Sequence, residues 1–452
     1  MTAPQSDEYA LTRLARLVQG FQPERDAVRI GGVISELGQG YCRVSGLCGN
    51  ASIHDTLVEE SSACLAAEVL QSTPEGVLAA LYHTPPSLKP GSRLFLRGPL
   101  AVFPTSGWLG RVVNALGAPI DNLPALPRGT RSKDVNSAPP PALARRIVSK
   151  PVLTGVKAID LFTPMCEGQR LGIFAGSGVG KSTLLGMLAT SGAFDATIVG
   201  LVGERGREVR EFIELVPESR RASMCVVVST SDESALLRRM AARTAMAVAE
   251  HFRDEGRSVL LIIDSITRFA LACREIAIAA GEPPVSRGFP PSVFTDLPRL
   301  LERAGPGTAD CGDITAIFSV LIDGDDHNDP IADSVRGIVD GHIVLDRRVA
   351  AQGRFPAIDI PMSVSRLTHM ALTPERRAFS NKLRLLVGRY EESRDLRMMG
   401  GYQPNVDAEL DSAVAIVPLL YSALNQSGAD SGCADAFKEI SEALQRLVPN
   451  SA

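Results

Sequence analysis

The chain has 452 residues, 45% of them hydrophobic and 22% charged, with a formal net charge of −4. At roughly 100–200 residues per domain this predicts two to four domains, and the ordinary apolar content with little net charge excludes intrinsic disorder. No stretch approaches the roughly 18 unbroken apolar residues of a membrane span, no secretory signal opens the chain, and the charge argues against a chain built mainly to hold nucleic acid; a globular, cytoplasmic protein is expected.

Residues 1–26 contain apolar side chains at Leu11, Leu14, Ala15, Val18 and Phe21, with Arg13 and Arg16 between them. That spacing predicts an amphipathic helix over 8–21, which either packs on its own domain or docks on a partner. From 27 to 97 short β-type segments alternate with turn residues, as in Val28–Ile34, Gly40–Gly46 and Ser92–Leu96, and predict a small barrel. Residues 121–150, rich in Pro and Arg, read as an extended connection. Between 98 and 370, apolar runs at 170–175, 196–202, 225–228, 259–263, 314–321 and 342–345 alternate with helical stretches. Such alternation predicts an α/β domain whose mainly parallel sheet is buried on both faces. Residues 371–452 read as a helical domain, with helices at 374–398, 407–424 and 434–447. The eight cysteines form no C-x-x-C pair and the six histidines no cluster, so neither type carries metal or disulfide chemistry.

The strongest motif is Ala175-Gly176-Ser177-Gly178-Val179-Gly180-Lys181-Ser182-Thr183, between a strand ending at Phe174 and a helix beginning near Thr183. Its glycines let successive backbone N–H groups curl around a polyphosphate at a positive helix end. Lys181 reaches the β- and γ-phosphates, and the Ser182 hydroxyl is placed to hold Mg²⁺. Ala175 replaces the first glycine of the strict pattern at a position that need not touch phosphate. A carboxylate at the end of a neighbouring strand completes the Mg²⁺ site, and Asp264 closes the run Val259–Ile263. Hydrolysis also needs a group to orient and deprotonate water. Ser265 stands where many ATPases of this class carry that carboxylate. The run Ala196–Val202 ends in Gly203-Glu204-Arg205-Gly206-Arg207-Glu208, which puts Glu204 at the carboxyl edge of the same sheet, with Glu208 as the alternative base.

Several stretches together resemble the rotary ATP synthase α/β superfamily: Gly155–Asp160, Gly168-Gln169-Arg170, Gly203-Glu204-Arg205, and Pro356-Ala357-Ile358-Asp359 followed by Ser363-Val364-Ser365. Within it the chain is most similar to the ATPases of type III protein export, through Ala175–Thr183, Gly203–Phe212, Gly281–Pro284 and Phe289–Phe294. Asp325–Ser334 and Gly341–Leu345 lean towards the flagellar branch over the injectisome branch. The resemblance implies a RecA-like catalytic domain between the barrel and the helices, and a homohexameric ring with ATP sites between subunits. It makes Arg366 the arginine finger for a neighbour's γ-phosphate, adds Arg205 to the catalytic set, and places Phe355 against the adenine. It further implies a stator-like regulatory protein on the N-terminal helix, contacts with an export gate, chaperones and exported proteins, and peripheral association with the inner membrane. The competing readings are a rotary synthase subunit, a ring-shaped nucleic-acid translocase, and a pure protein-interaction role, which leaves the glycine loop, Asp264 and Glu204 unexplained. Glu204 speaks against a non-catalytic synthase subunit. The translocase is disfavoured because residues 27–97 have few aromatics and no dense basic cluster.

Overall fold

A computed structural model describes residues 29–60, 64–83, 88–322, 329–428 and 432–447. The helix expected over 8–21 and Asp325–Asn328 of the branch-leaning stretch lie outside the described residues. The chain forms two compact units that divide at Gly98/Pro99.

In the first unit, β1 (Gly31–Gly38), β2 (Tyr41–Ser45), β3 (Asp55–Glu59), β4 (Leu65–Thr73), β5 (Gly76–Leu81) and β6 (Arg93–Pro99) close into a barrel, in the order β1-β2-β5-β4-β3-β6. Alternation sends Ile34, Cys42, Val44, Leu57, Val69, Leu81 and Leu94 into its core.

The second unit is built on a sheet that begins, in sequence, with β7 (Val112–Asn114). There follow α1 (Lys157–Phe162), β8 (Arg170–Ala175), α2 (Lys181–Ala189), β9 (Ala196–Glu204), α3 (Gly206–Leu215), β10 (Met224–Thr230), α4 (Ala235–Asp254) and β11 (Ser258–Asp264). Then come α5 (Ile266–Ala279), α6 (Pro291–Leu301), β12 (Asp313–Leu321), α7 (Pro330–Ile338), β13 (Gly341–Leu345) and β14 (Val364–Ser365). The path across the sheet is β14-β13-β8-β12-β11-β9-β10-β7, parallel throughout except where β14 pairs antiparallel with β13. Every residue of β9 is buried, as a strand covered on both faces requires. Helix α4 is buried along most of its length, and its Glu250 carboxylate meets Arg303 at 2.7 and 2.9 Å. Arg303 also donates to the carbonyl of Val135 (2.6 Å), which ties the connecting segment to the sheet unit.

The C-terminal helices α8 (Pro374–Glu392), α9 (Ala408–Leu424) and α10 (Ala436–Leu447) do not separate as a compact unit of their own. Leu383, Leu386, Val387, Val417, Leu420 and Ile440 share one apolar core with Ile159 and Phe162 of α1 and with the strands β8 and β13. That shared core joins the helices to the sheet. Of the cysteines, five are buried, while Cys48 and Cys64 are exposed on the barrel unit.

Candidate active site

Strand β8 delivers the chain into the glycine-rich loop at the carboxyl edge of the sheet. Gly178 (φ +79°) and Gly180 (φ +88°) adopt left-handed backbone that a side chain would strain, and Gly180 caps the start of α2. Lys181 opens that helix, and its ammonium donates to Asp264 Oδ1 at the end of β11. Asp264 is held from the other side by the Ser319 hydroxyl of β12, which donates to the same oxygen. Strand β9 lies beside β11 in parallel register, Leu201 opposite Asp264, so that Glu204 projects just past the same edge. Its Oε1 lies 3.8 Å from Lys181 Nζ and 3.3 Å from Arg268 Nε. Arg268 comes from the first turn of α5, where the Ser265 hydroxyl accepts its backbone N–H (3.4 Å).

Burial pushes the Glu204 carboxyl up to about 7, helped by its hydrogen bond with Glu208 and by the Asp264 charge, against Lys181 and Arg268. Glu208 moves the other way, held down by that same hydrogen bond. Of the two, Glu204 takes up a proton the more readily and Glu208 gives one up the more readily. A carboxyl tuned towards neutrality beside two cations suits proton abstraction from a water.

The fit to Mg²⁺ rests on the donor set. Among the described residues no group of three or more His, Cys, Asp or Glu could hold a metal ion. The site instead offers the exposed Ser182 hydroxyl at the start of α2 and the Asp264 carboxylate. Two hard oxygens with room for water and phosphate oxygens are what Mg²⁺ takes, so the residues present fit an ion that arrives with a nucleotide.

Beside the loop, a cleft of about 480 Å³ is lined by Gly180, Thr183, Leu184, Met187, Phe355 and Asn425, among others. Phe355 is 43% exposed and offers a ring face there. Its backbone is clamped by the residues that follow α9: its N–H donates to Asn425 Oδ1 (2.8 Å) and its carbonyl accepts from Gln426 N–H (2.7 Å).

Two expected residues stand outside this cluster. The Arg205 guanidinium, at the N-terminal cap of α3, is exposed and meets Glu208 at 3.5 Å. Arg268 occupies the place beside Glu204 instead. Arg366 lies at the opposite edge of the sheet: its N–H donates to the Asp340 carbonyl, and the Asp340 carboxylate accepts from the N–H of Arg170, the first residue of β8. The six residues of β8, about 20 Å at about 3.3 Å each, separate it from the loop of its own chain. Arg268 and Ser319 were not singled out from the sequence. Arg268 carries a weak signal, one helical turn beyond Asp264, whereas Ser319 has none, since only sheet order brings β12 against β11.

Two family models match the chain. Residues 155–365 match the ATP synthase alpha/beta family, nucleotide-binding domain, and residues 372–446 match the T3SS EscN ATPase C-terminal domain. The chain is 48% identical over 437 residues to the flagellum-specific ATP synthase of Rhizobium meliloti (strain 1021), covering 96% of this chain and 94% of that protein. The assembled ATPase EscN from the enteropathogenic E. coli type III secretion system superposes with a TM-score of 0.85 at 40% identity, covering 92% of this chain and 99% of that one. EscN in complex with its central stalk EscO gives a TM-score of 0.83 at 39% identity, with the same coverage.

Proposed function

The chain belongs to the ATP synthase α/β family, in the branch of flagellum-specific and type III secretion ATPases, and from that premise we propose a Mg²⁺-dependent ATP-hydrolysing motor that energises export of flagellar proteins. The observation that carries this reading is the convergence of Lys181, Asp264 and Glu204 at one sheet edge beside the glycine loop. Lys181 leaves Asp264 to bind the β- and γ-phosphates, while Phe355 stacks on the adenine. Mg²⁺ held by Ser182, with Asp264 behind it, would neutralise phosphate charge. Glu204 orients the attacking water and takes its proton. Arg366 of a neighbouring copy stabilises charge on the transferred phosphoryl group, since it lies too far from its own loop to do so. This division of labour requires an oligomer, and a hexameric ring fits the family.

Work in the cytoplasm on the membrane-bound export apparatus accompanies this role, with a central stalk as in EscN and a regulatory partner for residues 1–26. No helix among the described residues is long and apolar enough to cross a membrane. The same motor in a non-flagellar secretion system is the second reading, favoured by the likeness to EscN over nearly the whole chain. Phosphate release with and without Mg²⁺ tests the activity. Lys181→Ala should lose ATP binding, whereas Glu204→Gln should bind ATP and lose about 10²–10⁴ in kcat. Near-normal turnover in Glu204→Gln would pass the role of base to Glu208. Restored motility in a strain lacking its flagellar export ATPase decides between the two export readings.

A further inference from the structure

Phe355 is 43% exposed and lies in a loop outside any helix or strand, yet stacking on a base requires a ring already in place. What holds its segment is a polar assembly from the C-terminal helices. Arg354, the preceding residue, lays its guanidinium over the Tyr421 ring of α9, 3.7 Å from the centroid. The same guanidinium meets Glu391 of α8 at 3.6 Å, and the Tyr421 hydroxyl donates to Glu391 Oε1 at 2.6 Å. Arg354, Glu391 and Tyr421 therefore close a triangle, with side chains only 17% and 31% exposed for the arginine and the glutamate. The Asn425 and Gln426 bonds to the Phe355 backbone come from the end of the same helix α9.

We infer that Arg354, Glu391 and Tyr421 are positioning residues for the base-stacking Phe355, so that helices α8 and α9 set the affinity of the site for the nucleoside part of ATP. None of the three lines the cleft that takes the base, and none touches the glycine loop. Their effect passes through the register of residues 354–356. A loop freed of this anchor spends part of its time with the ring out of place, and apparent affinity falls by the fraction that remains competent. The inference rests on the nucleotide reading of the site given above.

The test uses the full chain and separates the base from the phosphates. Steady-state ATP hydrolysis gives KM and kcat, and inhibition by inorganic tripolyphosphate, which has no base, reports the phosphate loop alone. Glu391→Ala and Arg354→Met should raise KM for ATP about threefold to tenfold, with kcat within about twofold and the tripolyphosphate inhibition constant unchanged. Arg354→Lys keeps a cation over the ring and should stay within about twofold of the parent in KM. Phe355→Ala serves as the reference and should shift KM in the same direction with the same indifference of tripolyphosphate. An unchanged KM in Glu391→Ala and Arg354→Met, while Phe355→Ala raises it, overturns the positioning role alone. So does a parallel loss of tripolyphosphate binding, which marks general damage. An unchanged KM in Phe355→Ala, or no ATP hydrolysis by the parent chain, overturns the nucleotide reading beneath it.

Discussion

Replacing Arg268 by glutamine should move the acidic limb of the ATPase pH profile to higher pH. The Arg268 Nε lies 3.3 Å from Glu204 Oε1 and its Nη2 3.5 Å from Oε2, so it is a near cation to the assigned base. Unit charges at about 4 Å attract by about 4 kcal/mol at an effective dielectric constant near 20. The Arg268 side chain is 28% exposed and also serves Glu208, which leaves about one to two pKa units for Glu204, or about 1.4–2.7 kcal/mol. Burial already pushes Glu204 up to about 7. The base acts deprotonated, so a further rise removes activity below the new midpoint and spares it above. The variant should lose about tenfold to hundredfold in kcat/KM at pH 6–7 and approach the parent near pH 9, since kcat/KM reports groups of the free enzyme. Phosphate release measured at subsaturating ATP across that range gives the profile. A deficit of equal size at every pH, or an unmoved midpoint, would refute the assignment of Arg268 to Glu204.

The remaining expectations concern assembly and the sheet unit. Arg366→Ala and Lys181→Ala should each be inactive, yet equal mixing should restore part of the activity, because about one interface in four then joins an intact loop to an intact arginine. No recovery in phosphate release after verified subunit exchange would show that Arg366 does not serve a neighbour. Arg303→Met leaves the Glu250 carboxylate buried without its partner and should cost about 3–5 kcal/mol in urea unfolding. The double variant Glu250→Leu with Arg303→Met should cost less than the single one, and a larger loss in the double would refute that account.

What the sequence made legible is the part of the site that one strand and its following turn contain. The glycine loop, Asp264 and Glu204 each end an apolar run, and parallel strands buried on both faces place such ends along a single edge. Arg268 and Ser319 depend on which strands become neighbours: β12 sits beside β11 although some fifty residues separate Ser319 from Asp264, and no local pattern encodes that adjacency. Arg205 came from the family likeness and not from a local pattern. The resemblance placed it in the catalytic set, but in this chain its guanidinium is exposed and meets Glu208. Likewise Val112–Asn114, too short to stand out as an apolar run, joins the sheet at its far edge as β7.

The separation of Arg366 from its own glycine loop has a consequence for counting. If each site takes its arginine from the next copy, association is head to tail, and the two surfaces that meet are different. An open row of copies then always ends in one loop without an arginine, while at the other end one arginine stands idle. Only closure of the row matches the two ends. A population of partial rows therefore turns over more slowly per copy than closed rings of the same protein, and the last subunit to join completes two sites at once: its own and the one that had waited at the end of the row.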